Sequence, residues 1–407
     1  MEKYHTTSSN SKPNLKQSVW NSSSDIKMLN QNQAVWNSVD DFIEPLLKCV
    51  LQTPRVGVSC GKVEASNVTS SCGKEKGDRF HLSIPYAGKR LVWSVFFNSL
   101  CPELGPDFLF NDDTFLDDPD LDTIIRHVPS LAHWDVTSDD ALLMVIIELL
   151  MYYKQHQIEL LGKQGERLQF EYSTLVSATE ICAEDLEVVL LPSGLRPIEA
   201  RFLIRMAMDF SKLPERSTHQ DDEAMLLVTF NGPDWNRITP ELYLSKSLEE
   251  AFGGQAALHI PPFISTKCLM DYVPEVKRVI NEKIILLATC FEKRKSFIAA
   301  LLLLKRGSII EYDAVESSQA TLLFEYRDFY CMVHFKLPPA FPKEAPLIVL
   351  QSIYHMTSMG TLFCQTVEDL PFSHRWTPFE MVTKALNHIV EKEVQKFQTN
   401  SVKSSHF

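Results

Sequence analysis

The chain has 407 residues, a formal net charge of −12, 45% hydrophobic residues and 23% charged ones. That length holds two or three domains of ~100–200 residues, and the composition is ordinary for a globular fold. The acidic balance argues against a general nucleic-acid binder, which needs clustered Lys and Arg over phosphates. The longest basic run, Lys293-Arg294-Lys295, reads as a solvated helix face.

Nine cysteines (Cys49, Cys60, Cys72, Cys101, Cys182, Cys268, Cys290, Cys331 and Cys364) are scattered, odd in number and free of C-x-x-C pairs. They read as reduced thiols, so a cytoplasmic and nuclear location is expected. Met1 is followed by polar residues without an apolar h-region, and no secretory signal is expected. Ala141–Met151 is too short for the ~20 residues of a spanning helix. Ile284–Leu304 is interrupted by Glu292-Lys293-Arg294-Lys295. Both are read as core helices, with no membrane contact.

Residues 1–33 are rich in Ser, Asn, Gln and Lys and are read as a disordered tail. Ser38-Val39-Asp40-Asp41 supplies cap-type residues for an amphipathic helix through about Leu51. The polar, glycine-containing stretch Gly61–Gly77 reads as a loop. Strands are predicted at Arg79–Ile84 and Arg90–Asn98, with Pro85-Tyr86-Ala87-Gly88 as the turn. The aspartate-rich Asn111–His133 reads as a long acidic surface loop suited to docking or steering. A helix follows at Ala141–His156, and helical periodicity continues over Gln155–Leu175. Further on, Leu186–Leu191, Arg201–Phe210 and Met225–Phe230 read as strands, and Gly253–Phe263 as a turn-rich joint. A helix is predicted from Tyr272 to Leu304. Strands are then predicted at Ser308–Tyr312, Thr321–Tyr326, Phe329–Leu337 and Leu347–Ile353, and a closing helix at Glu380–Phe397.

One pattern occurs twice. Phe80–Phe110 and Ala320–Leu350 each hold two β-rich runs, then Pro-x-x-x-Pro (Pro102 and Pro106; Pro342 and Pro346), then a short apolar stretch. Each is later followed by a Trp ahead of a helix, Trp134 and Trp376, and the two rings are expected to pack on those helices in one shared role. A repeat so widely spaced signals a duplicated domain rather than a solenoid of ~20–50-residue units. The resulting division is a tail 1–33, a domain 34–165, a middle region 166–270, a domain 271–398 and a tail 399–407. ARFLIRMAMDFSKLP in the middle region leaves open whether that region is a degraded third copy or a connector.

The order strand, strand, Pro-x-x-x-Pro, strand, Trp, helix resembles the ubiquitin-conjugating fold and its inactive variants. The expected fold class is therefore α+β, with two or three tandem antiparallel meanders flanked by helices. Phe341–Pro346 stands at that family's proline-rich turn, and His355 at the His of its His-Pro-Asn signature. Segments Asp78–Gly88, Pro102–Phe110, Ala257–Phe263, Asp271–Val276 and Gln351–His355 together resemble the BRE family within this superfamily.

The resemblance implies a non-catalytic subunit with ubiquitin-conjugating-variant domains. It implies assemblies built on a JAMM-type zinc deubiquitinase, an Abraxas-family coiled-coil scaffold and a von Willebrand A-type subunit. Those assemblies trim lysine-sixty-three-linked polyubiquitin, one in the cytoplasm (BRISC) and one in the nucleus at damaged DNA. Polyubiquitin itself is a further partner the resemblance suggests.

Conjugation needs a thioester-forming Cys and a polar donor for the oxyanion. After Phe110 no Cys precedes Trp134, so the first copy cannot do this chemistry. In the second copy Met356-Thr357 replaces Pro-Asn, and Cys364 lies nine residues past His355. His355, Thr357 and Cys364 are thus degenerate conjugating-site positions. The expectation is an unreactive thiol, because Glu368 and Asp369 follow and no cation is near in sequence. Residual conjugation through Cys364, or a free-standing ubiquitin receptor, are the rival readings.

His127 and His133, or His355 and His374, lack ligand spacing, so neither metal nor cofactor is expected. Partner contacts are expected at Phe341, Pro342 and Pro346 and at the acidic residues Asp112, Asp113, Asp117 and Asp118. Trp93, Phe96, Phe97, Met206 and Met208 read as core.

Overall fold

The computed structural model describes residues 35–404, except 74, 117–118, 194–195, 214–221, 255–257 and 265. The predicted tail 1–33 lies outside the described residues. The fold is α+β with antiparallel sheets, and the chain divides into two compact units.

The first unit comprises residues to Ala207 with Glu223–Lys246 and Pro261–Pro274. Helix α1 (Ile43–Gln52) places Ile43, Leu46, Leu47, Val50 and Leu51 on one buried face, the spacing a 3.6-residue repeat requires. Its start is held by backbone: the Asp40 carbonyl accepts from Ile43 and Glu44, with no side-chain cap. Strands β1 (Glu64–Thr69), β2 (Arg79–Tyr86), β3 (Lys89–Phe96) and β4 (Asp107–Leu109) form a meander in that order. β1 lies inside the segment predicted as a loop. Its polar sequence hides it, because only Ala65 turns firmly inward and the register shifts between Ser66 and Thr69.

The predicted acidic loop carries two short helices, α2 (Leu121–His127) and α3 (Pro129–Ala132). The Asp120 carboxylate caps α2 by accepting from the Thr123 N–H at 2.8 Å. Helices α4 (Ala141–Gln164) and α5 (Glu166–Ala178) are separated at Gly165, whose φ of 145° a side chain would resist.

Strands β5 (Leu186–Ser193), β6 (Arg196–Met206), β7 (Ala224–Asn231) and β8 (Arg237–Leu244) make a second meander in the same unit. Val189, Leu203, Met225 and Leu227 share one core with Phe80, Leu82, Trp93 and the inner residues of α1 and α4. The opposite face (Val188, Phe202, Ile204, Leu226, Val228, Phe230) is buried as well. Phe230 lies 5.3 Å from Phe202 and 6.3 Å from Phe263, which reaches Tyr272 at 4.7 Å. A sheet covered on both faces reads as unbroken apolar runs, which is how β5 and β7 look in sequence. The boundary expected at residue 165 falls inside this unit.

Helix α6 (Lys246–Phe252) precedes the long α7 (Leu269–Lys305), and the division between the units falls within α7 at Pro274. The second unit comprises Met208–Asp222, Ser247–Ile260 and Glu275–Phe407. Its sheet runs β13-β12-β11-β10-β9 from β9 (Ile309–Tyr312), β10 (Gln319–Tyr326), β11 (Phe329–Lys336), β12 (Leu347–Met356) and β13 (Leu362–Thr366). Phe297 and Leu301 of α7, Leu322, Val333, Phe335 and Leu350 of the sheet, and Met381, Val382 and Phe397 form its core.

Helix α8 (Pro378–His388) starts with a capping box between Thr377 and Glu380. A π-helical turn, Ile389–Glu393, leads into α9 (Val394–Ser404). Residues 399–404, expected as tail, are helical, and Ser401 is buried because α9 keeps packing on the unit. Lys293 and Lys295 are exposed, as a solvated face requires, but Arg294 between them is 8% exposed and departs from that reading. It donates to the Glu316 carbonyl at 3.1 Å and the Pro339 carbonyl at 3.2 Å.

The two hairpins of the sequence repeat correspond rung for rung. β2–β3 and β10–β11 each pair over eight rungs, from Tyr86↔Lys89 and from Tyr326↔Phe329. Each closes on two residues of positive φ: Ala87 and Gly88 at 45° and 72°, Arg327 and Asp328 at 46° and 61°. Two left-handed residues match the twist of the flanking strands. The sixth rung from the turn pairs a histidine with a hydroxyl in both, His81 with Ser94 and His334 with Thr321, each at 3.0 Å.

Candidate functional site

The three positions expected as a degenerate conjugating site, His355, Thr357 and Cys364, lie on the β12–β13 hairpin. His355 is the penultimate residue of β12, with its Nδ1 3.0 Å from the Ser352 hydroxyl and its ring 6.5 Å from Phe329. Thr357 opens the turn, where its N–H donates to the Thr361 carbonyl and its hydroxyl sits 2.8 Å from that of Thr361. Gly360, at φ 75°, permits the reversal.

Cys364 stands within β13, opposite Gln351. Phe363 packs on Phe397 at 5.6 Å and Gln365 accepts from Asn400 at 3.1 Å, both on the helix side. Alternation therefore sends the Cys364 thiol to the opposite, exposed face. Partial burial raises its pKa, and no cation contributes to hold a thiolate. Its neighbour within reach is the Leu362 carbonyl at 3.5 Å. A ladder strand fixes this thiol, and His355 and Thr357 are each engaged elsewhere.

The proline motif is built for packing. Phe341 has no exposed surface and lies between Phe297, edge-on at 5.4 Å, and Phe372 at 6.2 Å. The Phe341–Pro342 peptide is cis. Pro346 is buried and Pro342 half-buried. Phe341 and Pro346, expected as partner contacts, are instead core residues, because a proline turn that closes a sheet turns its apolar side chains inward. In the first unit Trp134 contacts the corresponding motif directly, donating from Nε1 to the Pro102 carbonyl at 3.3 Å beside Phe97. Trp376 instead lies under the Lys384 ammonium of α8 at 4.5 Å. The two tryptophans, expected in one role, hold different elements.

The acidic segment is also tied inward at its start. One oxygen of Asp112 accepts from Thr114, and the other from the Tyr153 hydroxyl at 3.4 Å and Gln157 at 3.0 Å. Phe115 is buried 5.0 Å from Tyr153. Gln157 in turn accepts from the Leu190 N–H at 3.0 Å, linking the segment through α4 to β5. Asp112 is therefore an anchor rather than a free contact, while Asp113 is exposed. Asp117 and Asp118 lie outside the described residues.

Three polar clusters went unread in the sequence. Glu187 is 2% exposed, and its carboxylate accepts from Val58 N–H (2.6 Å), Ser59 N–H (3.1 Å), Ser59 hydroxyl (2.5 Å) and Ala87 N–H (2.7 Å). It joins β5 to a loop and to the β2–β3 turn. Arg55 forks onto Glu223, and the Cys60 thiol donates to the same carboxylate at 3.2 Å. Burial pushes the Cys60 pKa up to about 12. Asp78 accepts from Ser71 and Ser99, which holds its carboxyl below the usual range despite burial. The available signal was a lone charge in an apolar run, as in the LEVVLL around Glu187.

Among the described residues no group of three His, Cys, Asp or Glu is placed to hold a metal ion. No helix there is long and apolar enough to cross a membrane.

These features define an α+β protein of antiparallel meanders in which His355, Thr357 and Cys364 are absorbed into strand and turn. The chain belongs to the BRE family: residues 37–356 match the family described as Brain and reproductive organ-expressed protein. It is 38% identical over 357 residues to a Danio rerio protein named BRISC and BRCA1-A complex member 2, covering 84% of this chain and 90% of that one. A Branchiostoma floridae protein of the same name is 35% identical over 376 residues, covering 89% and 96%.

Proposed function

We propose that this chain is a non-catalytic scaffold and adaptor subunit of deubiquitinase assemblies of the BRISC and nuclear Abraxas types. The observation that carries this reading is the match, over 84–96% of each chain, to proteins named BRISC and BRCA1-A complex member 2. On this reading its partners are a JAMM-type zinc deubiquitinase, an Abraxas-family scaffold and a von Willebrand A-type subunit. The substrate of the assembly is lysine-sixty-three-linked polyubiquitin, met in cytoplasm and nucleus.

The tandem ubiquitin-conjugating-variant reading draws support from the rung-for-rung correspondence of β2–β3 with β10–β11. On this reading the middle meander, β5–β8, is either a degraded third copy or a connector between the two. A non-catalytic role is supported by the raised thiol pKa at Cys364 and its place within a paired strand.

Affinity purification of the full chain from its own cells, with mass spectrometry, tests the reading. Stoichiometric recovery of the three partners is expected. Recovery of ubiquitin-activating enzyme without them, together with a thiol-reducible ubiquitin adduct on Cys364, would replace it with conjugation.

A further inference from the structure

The middle sheet ends on an open edge. β8 pairs with β7 over eight rungs without a bulge, from Ala224↔Leu244 to Asn231↔Arg237, and among the described residues no strand lies on its other side. The register fixes which backbone groups point outward. The Ser245 N–H donates to the Glu223 carbonyl at 3.0 Å. The hydrogen-bonded pairs of this ladder are therefore Tyr243–Met225, Glu241–Leu227, Thr239–Thr229 and Arg237–Asn231. The residues between them, Ile238, Pro240, Leu242 and Leu244, turn their backbone groups to the open side. Among the described residues no other backbone group bonds to them.

Their side chains extend a buried row. Phe230, Val228, Leu226 and Ala224 stand opposite them on β7 and are buried, whereas the four on β8 are only half-buried. One more strand would complete that face. Among the described residues the other edges are interrupted or short: β1, β5, β9 and β13 each carry a register shift in their pairing, and β4 has only three residues. Bulges of that kind blunt an edge against pairing.

The edge of β8 is selective rather than blunted. Pro240 withholds one donor. A second copy adding through the same edge would lose that donor from both strands. The two-fold register that engages all the remaining outward groups would also set Glu241 against Glu241, and like charges directly opposite destabilise a ladder. The sequence thus disfavours self-pairing but leaves the Ile238, Leu242 and Leu244 donors available.

We propose that the open edge of β8 is a strand-addition site for an extended segment of a partner protein. That segment is apolar where it faces Ile238, Leu242 and Leu244, basic opposite Glu241 and acidic opposite Arg237. Main-chain bonds would supply the grip and the two charges the register.

The test uses the full chain and a fluorescent peptide, Val-Thr-Val-Lys-Val-Thr-Val-Glu with polar flanks, which pairs antiparallel to 237–244. A twin methylated on the valine backbone nitrogens cannot donate to β8. Saturable binding in the micromolar range is expected, weakened at least about tenfold by methylation and by Leu242→Pro. The Leu242 and Leu244 amides should exchange more slowly when the peptide is bound. Because Leu242→Pro can perturb the fold, Glu241→Lys, at an exposed position, serves beside it. It should weaken this peptide and favour one carrying Glu in place of Lys. Absence of binding, equal binding of the methylated twin, or indifference to Glu241→Lys would overturn the proposal. Amide protection that grows with chain concentration alone would assign the edge to a second copy and overturn it equally.

Discussion

Glu171, buried on α5, accepts the backbone N–H of Leu269, the first residue of α7, at 2.7 Å across 98 positions of sequence. A helix leaves its first N–H groups without internal partners, and here a distant carboxylate answers one of them. Burial raises the Glu171 pKa, partly offset by this hydrogen bond. The folded state therefore holds the proton more firmly than the unfolded chain. The stability this contributes is complete below the ordinary value of 4.5 and is lost as pH rises through the raised one. Glu171→Gln keeps an acceptor without the charge and should melt at or above the wild type at neutral pH. The difference between the two should shrink on acidification. Glu171→Leu strands the amide and should cost about 1–3 kcal/mol. Thermal melts at two pH values measure both.

Glu187 should be among the least replaceable residues of the first unit. Its buried carboxylate answers donors from Val58, Ser59 and Ala87. Glu187→Ala leaves them buried without partners, at about 1–3 kcal/mol for each. The expected outcome in urea titration is a loss of about 3 kcal/mol or more. Glu187→Gln, which keeps an acceptor but offers two donors to a shell of donors, should fall between.

Thiol labelling should rank the cysteines by environment. Cys72, Cys182 and Cys364 are exposed and should react first with iodoacetamide at pH 8. Cys331, raised to about 11 by burial, and Cys60 at about 12 should lag. Glu223→Ala removes the acceptor of the Cys60 proton and leaves the Arg55 guanidinium beside it, so Cys60 should then alkylate faster. An unchanged rate would mean that burial alone protects it.

Phe341 distinguishes packing from docking at the proline turn. With Phe297 and Phe372 around it, Phe341→Ala should cost about 3–5 kcal/mol of stability. Lys343→Glu, at an exposed position of the same turn, should cost far less. Equilibrium unfolding reads the first, and partner recovery by the folded Lys343 variant reads the second.

Legibility followed periodicity. α1 and the β2–β3 and β10–β11 hairpins were readable because apolar residues recur at the spacing each element needs. β1, β8 and β13 were not, since each is an edge strand whose polar residues face outward. For the candidate site, the sequence located His355, Thr357 and Cys364 along the chain but could not orient them. Phe363 and Gln365 decide which way Cys364 faces, through contacts with α9 that lie more than thirty residues away. Asp112 looked like surface because its partners Tyr153 and Gln157 are a helix away. Remote pairing leaves no local trace.

The shared core of the first unit bears on any shortened form of the protein, whether made by alternative splicing, proteolysis or truncation. A fragment ending at residue 165 would keep α1, β1–β4 and α4 but lose Val189, Leu203, Met225 and Leu227, which close their core. It would also lose the carboxylate of Glu187 from the Ala87 turn. Such a fragment should be sticky and prone to capture by chaperones. The smallest well-behaved N-terminal piece should instead run through the opening turns of α7, where Glu171 meets Leu269.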